Sequence, residues 1–159
     1  MDKYRNIYIL LDICIFSMVT LDDKDIKILN VLKQNSRLPI RDIAKKAQLR
    51  PSTVHLRIQR LVKNGIVEQF TLKLNNEAVG EDFIVFMYVS TEEDLPKSFF
   101  NNSHVKEAFG VTGEYDLLFK LKFKDIAEFN DYIINMRKNK AITKTITNVV
   151  TANIKEVLN

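Results

Sequence analysis

The stretch from Leu21 to Asn75, LDDKDIKILNVLKQNSRLPIRDIAKKAQLRPSTVHLRIQRLVKNGIVEQFTLKLN, decides the fold of the first half of the chain. Apolar residues recur in it at the 3.6-residue spacing of helices, in three short runs that are separated by turns. The first run follows Asp22 or Asp23, either of which can cap a helix, and ends near Asn35. Its predicted inward residues are Ile26, Ile28, Leu29 and Leu32.

Two further helices follow in the same stretch. The second begins around Pro39, and Gln48 to Arg50 form the turn after it. Pro51 begins the third helix, which runs to about Asn64 before Gly65 ends it. The predicted inward residues are Ile40, Ile43, Ala44 and Ala47 in the second helix and Val54, Ile58, Leu61 and Val62 in the third.

The third helix has eight residues off its buried stripe, most of them polar, namely Ser52, Thr53, His55, Leu56, Arg57, Gln59, Arg60 and Lys63. Hydroxyl and guanidinium groups on a helix after a tight turn are what recognition of the DNA major groove requires. The first turn of such a helix approaches the bases. We therefore predict base contacts by Ser52, Thr53, Leu56 and Arg57, with Leu56 meeting a thymine methyl. Contacts with the DNA backbone are predicted for Arg41, Arg60 and Lys63, and Arg50 and His55 complete the DNA-binding set.

A single exposed arginine on a helix is as often an ordinary solvated side chain as a DNA contact, and a histidine at the place of His55 is more often a surface polar residue. The charge distribution of the whole chain therefore matters. Residues 20–65 contain eleven Lys and Arg against four Asp, a net charge of +7. Residues 66–159 contain eleven basic and fourteen acidic residues, a net charge of −3. A positive first half followed by a mildly negative second half indicates that only the first half meets a polyanion.

The stretch Leu21–Asn75 resembles the leucine-responsive/asparagine regulator (Lrp/AsnC, feast/famine) family of transcription factors. The matching features are the Leu-Asp opening, Asp-Ile-Ala in the second helix, Ser-Thr-Val with Arg-Ile and Arg-Leu in the third, and Asn-Gly-Ile after it. The resemblance implies a winged helix-turn-helix domain over 20–65. The alternation of Glu68–Leu74 predicts a connecting strand, and the resemblance implies that this strand forms the wing and hinge within 66–80. Arg50 departs from the family pattern, which has a serine-like cap there; losing that cap costs about 0.5–2 kcal/mol, unless a phosphate contact of Arg50 offsets the loss.

The second half predicts a βαββαβ, ferredoxin-like domain over 81–159, so the fold class is α+β. The strands are expected at Phe83–Val89, Val105–Thr112, Tyr115–Phe123 and Ile142–Val150. A short helix runs from about Asp94 through Phe99 and Phe100, and Asp125 caps a longer one. Its predicted packed residues are Ile126, Phe129, Tyr132, Ile133 and Met136.

The segment VTGEYDLLFKL, Val111–Leu121, resembles the Gly-x-x-Asp signature of the family's ligand-binding (RAM) domain. The resemblance implies dimers formed through the sheets, further assembly into tetramers or octamers, and a small effector, commonly an amino acid, bound between subunits near that loop. The motif falls on Gly113 and Asp116. Gly113 lets a ligand approach the backbone, and Asp116 can accept a hydrogen bond from an α-ammonium group or, alternatively, cap a tight turn. The full predicted effector set is Thr112, Gly113, Tyr115, Asp116, Thr145 and Thr147.

Several classes of protein are disfavoured by the composition. One cysteine, Cys14, allows no intramolecular disulfide and indicates a reducing cytoplasm. With two distant histidines, His55 and His104, it builds no zinc site, and we expect neither a metal nor a cofactor. The apolar run Ile7–Val19 is too short to span a membrane. Residues 1–19 are thus an over-long start with Met18 as the natural initiator, a real packing element or a targeting signal.

The sequence therefore predicts a DNA-binding transcriptional regulator that is not an enzyme. It would bind double-stranded, pseudo-palindromic DNA as a homodimer or larger assembly and respond to a small effector. One alternative is an architectural, nucleoid-type protein that binds DNA without sequence preference. The other is an enzyme that resembles the sirohaem decarboxylases, but that chemistry needs cationic or imidazole groups around a pocket of the second domain, where His104 is the only histidine.

Overall fold

The computed structural model describes residues 20–155, which divide between Lys73 and Leu74 into two compact units. The predictions for residues 1–19, including Met18 as initiator and the environment of Cys14, lie outside the described residues. In the first unit, helix α1 spans Asp23–Gln34, α2 spans Ile40–Ala47 and α3 spans Pro51–Lys63. Their buried residues form one core, made of Ile28, Val31, Leu32, Ile43, Ala44, Ala47, Val54 and Leu61.

The ends of the three helices follow from local chemistry. Asp22 caps α1 in a capping box. Its side chain accepts a hydrogen bond from the backbone amide of Asp25, and the Asp25 side chain accepts one from the backbone amide of Asp22. Gly65 ends α3 at a φ of 68°, with its amide bonded to Val62 and the amide of Ile66 to Leu61. This pair of bonds is a Schellman motif, which places the chain in the left-handed region where glycine is unstrained.

Two predicted core residues are wrong. Ile26 is 46% exposed, because it lies on the opposite side of α1 from Ile28, about 200° away at 100° per residue. The inward position is occupied instead by Asp25, which is fully buried. Val62 is 44% exposed, since it lies about 100° around α3 from the buried Leu61.

The predicted linker strand over Glu68–Leu74 is also wrong for the described chain, because the segment has neither helix nor strand. Its alternating apolar side chains Phe70, Leu72 and Leu74 are all exposed. A strand exists only where its backbone amides and carbonyls pair with a neighbouring strand, and no described strand pairs with this segment. The chain then forms a single 3₁₀ turn, Glu77–Val79, that ends at Gly80.

The second unit confirms the predicted α+β fold class. Its elements are β1 (Phe83–Thr91), α4 (Lys97–Phe100), β2 (Val105–Gly110), β3 (Leu117–Phe123), α5 (Ile126–Met136) and β4 (Ile142–Val149). The four strands form one antiparallel sheet in the order β2-β3-β1-β4.

One face of this sheet carries the core of the second unit. The inward side chains of β1 and β3 are buried, and residues of α4 and α5 pack on them together with Leu95. Phe119 and Phe123 lie at the centre, in contact with the rings of Phe99 and Phe129 respectively. Ile126 was predicted to pack here but is 61% exposed, because it is the first residue of α5 and the packed stripe begins at Phe129.

Candidate functional site

Helix α3 presents a continuous stripe of exposed side chains to solvent. Val54 and Leu61 are buried. Because successive residues of a helix are about 100° apart, the stripe consists of the positions on the opposite side of the helix from these two. They are Ser52, Leu56, Gln59 and Lys63, all exposed. We call these four residues the outward stripe. It carries a hydroxyl, an apolar group, an amide and a cation, which are groups that can address base edges, a thymine methyl and a phosphate.

The structure distributes the other predicted DNA-binding residues around this stripe. Thr53 is half-buried on one flank of α3, and His55 is exposed on the other. Arg41, at the start of α2, and Arg50, in the turn before α3, are exposed and make no ion pair with a described residue. Arg50 does not cap α3 with its side chain, as expected from the departure at that position.

Gln59 was not among the predicted contacts, although it lies on the outward stripe. The prediction favoured the first helical turn and arginine, whereas the signal for Gln59 is its angular position about 180° from the buried residues. A glutamine amide can pair in bidentate fashion with adenine in the major groove. Gln59 therefore joins the candidate recognition residues.

Arg57 has a different environment from the one that base contact requires. Its Nη1 lies 2.5 Å from Oδ1 of Asp22 and 2.9 Å from Oδ1 of Asp25, and its side chain is only 20% exposed. Arg60 pairs with Oδ2 of the same Asp25. The hydrogen bond from Arg57 lowers the pKa of Asp22 to about 2, and the two carboxylates raise the pKa of Arg57. The flank of α3 that bears Arg57 and Arg60 is thus tied to the first turn of α1.

The face of the second unit's sheet that lies away from α4 and α5 carries apolar side chains, only some of which the described chain covers. The register places Tyr88 beside Leu118 and Ile146, and Phe109 beside Leu118. Phe86, Phe109 and Ile146 are exposed. We call the five residues Phe86, Tyr88, Phe109, Leu118 and Ile146 the open sheet face. A row of exposed apolar side chains on one side of a sheet is typical of a surface that another molecule covers.

The predicted effector loop connects β2 to β3. Oδ2 of Asp116 accepts a hydrogen bond from the amide of Thr91 at 2.8 Å, and the backbone amide of Asp116 donates to the carbonyl of Val89. Asp116 therefore ties the loop to the end of β1. Thr112 and Gly113 are exposed, and Gly113 has a φ of 124°, with open space where a Cβ would lie. A ligand can therefore approach the backbone at Gly113 without a steric clash.

The remaining predicted effector residues divide between the two faces of the sheet. The ring of Tyr115 packs against that of Tyr88 in a tilted arrangement, with ring centroids 5.6 Å apart, on the side of the open sheet face. Lys144 lies over the Tyr115 ring and pairs with Glu114, which raises the pKa of the lysine. Thr145 and Thr147 pair with Val89 and Met87 and so share the helix-covered face of the sheet. Thr145 thus lies beside Val89, whose carbonyl accepts the hydrogen bond from the backbone amide of Asp116.

A cavity of about 510 Å³ lies among α4, α5 and the residues before β2. His104 borders it, stacked on Phe123 at 4.6 Å, with its Nε2 3.8 Å from Glu128. The charged side chains that line the cavity are the carboxylates of Glu128 and Asp131. A carboxylate-bearing tetrapyrrole needs cations at such a place, so the cavity disfavours the decarboxylase-like alternative.

Two family models match the chain in the order of its two units. Residues 21–68 match a model described as winged helix-turn-helix DNA-binding, and residues 86–158 match one described as the Lrp/AsnC ligand binding domain. The chain belongs to the Lrp/AsnC family of transcriptional regulators. This Lrp/AsnC protein is a transcriptional regulator with a DNA-binding and a ligand-binding domain, and it is not an enzyme.

Similar proteins cover nearly the whole of this Lrp/AsnC chain. An uncharacterised HTH-type transcriptional regulator of Pyrococcus abyssi is 32% identical over 140 residues, which are 86% of this chain and 95% of the relative. The HTH-type transcriptional regulator FL11 of Pyrococcus furiosus is 29% identical, over 82% of this chain and 89% of its own. A transcriptional regulator of Neisseria meningitidis, solved as a complex with L-Met, superposes with a TM-score of 0.82 at 29% identity, over 87% of this chain and 94% of that one. No helix within residues 20–155 has the length and apolar character that a membrane span needs.

Proposed function

We propose that this Lrp/AsnC regulator binds pseudo-palindromic DNA sequence-specifically as a homodimer or a larger assembly. The observation that carries the proposal is the outward stripe, whose hydroxyl, amide and apolar groups can distinguish base pairs rather than only neutralise phosphates. Ser52, Leu56 and Gln59 are the proposed base readers, with Thr53 and His55 at their flanks. Arg41, Arg50, Arg60 and Lys63 are the proposed phosphate contacts. Arg57 is left out of the base readers because of its ion pairs.

The open sheet face supports a dimer for this chain. Three of its five side chains, those of Phe86, Phe109 and Ile146, are exposed in the single chain, and a two-fold interface is made of the same patch on both subunits. A dimer would place two α3 helices on one face of DNA, about one helical turn or a multiple of it apart. Assembly beyond the dimer to tetramers or octamers is proposed on the family resemblance.

Footprinting on the chain's own promoter with excess competitor DNA tests sequence specificity. We expect one or a few protected segments at half-site spacing that persist when unrelated DNA is added, because specific binding exceeds non-specific binding by about 10³–10⁷-fold. Both modes should weaken steeply with salt. Protection that spreads evenly along the promoter and disappears with competitor would favour the architectural alternative instead.

We further propose that an amino acid acts as effector between subunits near the β2–β3 loop. The similar regulator from Neisseria meningitidis was solved with L-Met, and the ligand-binding domain of this chain offers an open backbone at Gly113 and a carboxylate, that of Asp116, in the same loop. Thr112, Tyr115, Thr145 and Thr147 are the proposed neighbours. Coupling between effector and DNA must be reciprocal, so each changes the affinity of the other by the same factor.

Asp116→Asn should weaken effector binding by about tenfold or more while DNA affinity without effector changes little. Asparagine keeps an oxygen for the Thr91 amide but loses the charge, and a hydrogen bond to a charged group contributes about 1.5–3 kcal/mol. A thermal-shift screen of the twenty amino acids on the wild-type protein selects the ligand, and calorimetric titration gives its Kd for the variant. Glu114→Gln, which removes a carboxylate from the same loop, is the control. An unchanged Kd in Asp116→Asn removes Asp116 from the site, and a screen without any shift contradicts the amino-acid effector.

A further inference from the structure

The first turn of α1 and the flank of α3 are joined by two carboxylates and two guanidinium groups. Arg57 bonds to both Asp22 and Asp25, and Arg60 bonds to the second oxygen of Asp25. We call these four residues the carboxylate clamp. These bonds join the start of α1 to α3, between residues that are 32 to 35 positions apart in the chain.

Asp25 is the centre of the clamp. It is fully buried, and it is the single buried charged residue among those that the structure describes. Each of its oxygens binds one arginine, so moving either guanidinium away would leave a buried carboxylate partly unpaired. Because an uncompensated buried charge is strongly unfavourable, the clamp resists rotation of α3 about its own axis.

The clamp also limits how two of the domain's eleven cations meet DNA. Arg57 is mostly buried against the two carboxylates, whereas Arg60 is 45% exposed. A guanidinium group has five N–H donors, so Arg60 can bind Asp25 and still reach a phosphate. Cations that pair with carboxylates release fewer counterions from DNA, and counterion release supplies the non-specific part of the affinity.

We propose that Asp25 is a positioning residue that raises the sequence specificity of DNA binding by holding Arg57 and Arg60. Fixing the rotation of α3 keeps the outward stripe directed at the bases, which favours the specific site. Restraining the two arginines lowers the affinity for DNA of any sequence. The part of this inference that concerns specificity rests on the proposed sequence-specific function. The effect of the clamp on non-specific binding does not depend on that function.

Asp25→Asn tests the proposal, because it removes the charge and keeps the size. We expect the variant to bind random-sequence DNA about three- to tenfold more tightly, with a slope of log K against log salt that is steeper by about one, since Arg57 becomes available to neutralise a further phosphate. The ratio of specific to non-specific affinity should fall at least tenfold. Fluorescence anisotropy on promoter and random duplexes at several salt concentrations gives all three quantities, and circular dichroism shows that the variant is folded.

Asp22→Asn and Asp23→Asn complete the design, because all three variants remove one negative charge from the same turn. Asn caps a helix as well as Asp, so Asp22→Asn should fold even if Asp25→Asn does not. It weakens the hold on Arg57 and should lower the specificity ratio about threefold. Asp23 is exposed and makes no ion pair with a described residue, so its variant reports the general effect of charge.

The outcomes separate the carboxylate-clamp hypothesis from the proposed sequence-specific function. Equal changes in all three variants, or a specificity ratio unchanged in both Asp25→Asn and Asp22→Asn, would overturn the clamp. A wild-type ratio near one would overturn the proposed sequence-specific function. In that case the salt slope on random DNA still decides the clamp, which predicts a steeper slope for Asp25→Asn or Asp22→Asn than for Asp23→Asn and is overturned by equal slopes.

Discussion

Ile146→Asp should convert the protein to monomers and weaken binding to a two-half-site DNA by about 10²–10⁴-fold, the gain that bivalent attachment supplies. Ile146 is exposed on the open sheet face, beside Tyr88. In a two-fold interface each substitution appears twice, so two carboxylates would be buried without partners. The penalty for such burial exceeds what the loss of one apolar contact could cause.

Ile134→Asp is the matched control, since Ile134 is an exposed isoleucine of α5, 57% exposed against 44% for Ile146. Light scattering gives the mass of each variant, and anisotropy compares DNA with one and with two half-sites. We expect Ile146→Asp to bind both DNAs with the same affinity and Ile134→Asp to prefer two half-sites, as the wild type does. A dimeric Ile146→Asp protein places the interface elsewhere, and a monomeric Ile134→Asp protein places it on the helical side.

Much of the fold could be predicted from the sequence because local signals and packing agree. Asp22, Pro51 and Gly65 mark helix ends by their own chemistry, and the apolar spacing identifies Val54 and Leu61 as core. In the second unit the strands and their order follow from short apolar runs separated by turn residues. These features depend on residues that are close in the chain, which is why periodicity detects them.

The failures share a different physical cause, namely contacts between residues that are distant in the chain. Asp25 replaces Ile26 as the inward residue of α1 because Arg57 and Arg60 satisfy its charge, and no local pattern shows that partnership. The same ion pairs give Arg57 an intramolecular role that its place on α3 does not indicate. The alternation of Phe70, Leu72 and Leu74 resembles a strand, yet a strand needs a partner that the described chain does not provide.

A pair of identical substitutions on α3 should separate the residues that hold the helix from those that read DNA. Leu61 is 1% exposed and Leu56 is 65% exposed. Leu61→Ala should reduce the free energy of unfolding of the first unit by about 2–5 kcal/mol, the usual result of emptying a buried leucine site. Leu56→Ala should leave the unfolding free energy within about 0.5 kcal/mol, because an exposed side chain loses little packing.

In DNA binding, the specific effect is expected from Leu56→Ala and not from Leu61→Ala. Losing an apolar contact of Leu56 with a thymine methyl is worth about 1 kcal/mol, so Leu56→Ala should bind its specific site about fivefold more weakly and random DNA as the wild type does. Leu61→Ala should lose affinity for both DNAs together as the temperature rises, because only folded α3 binds either. Calorimetric unfolding and anisotropy on the two duplexes measure these effects. Equal losses on both duplexes for a fully folded Leu56→Ala protein would mean that the outward stripe tracks the backbone, and the base readers would then have to be sought on the flank of α3 that bears His55.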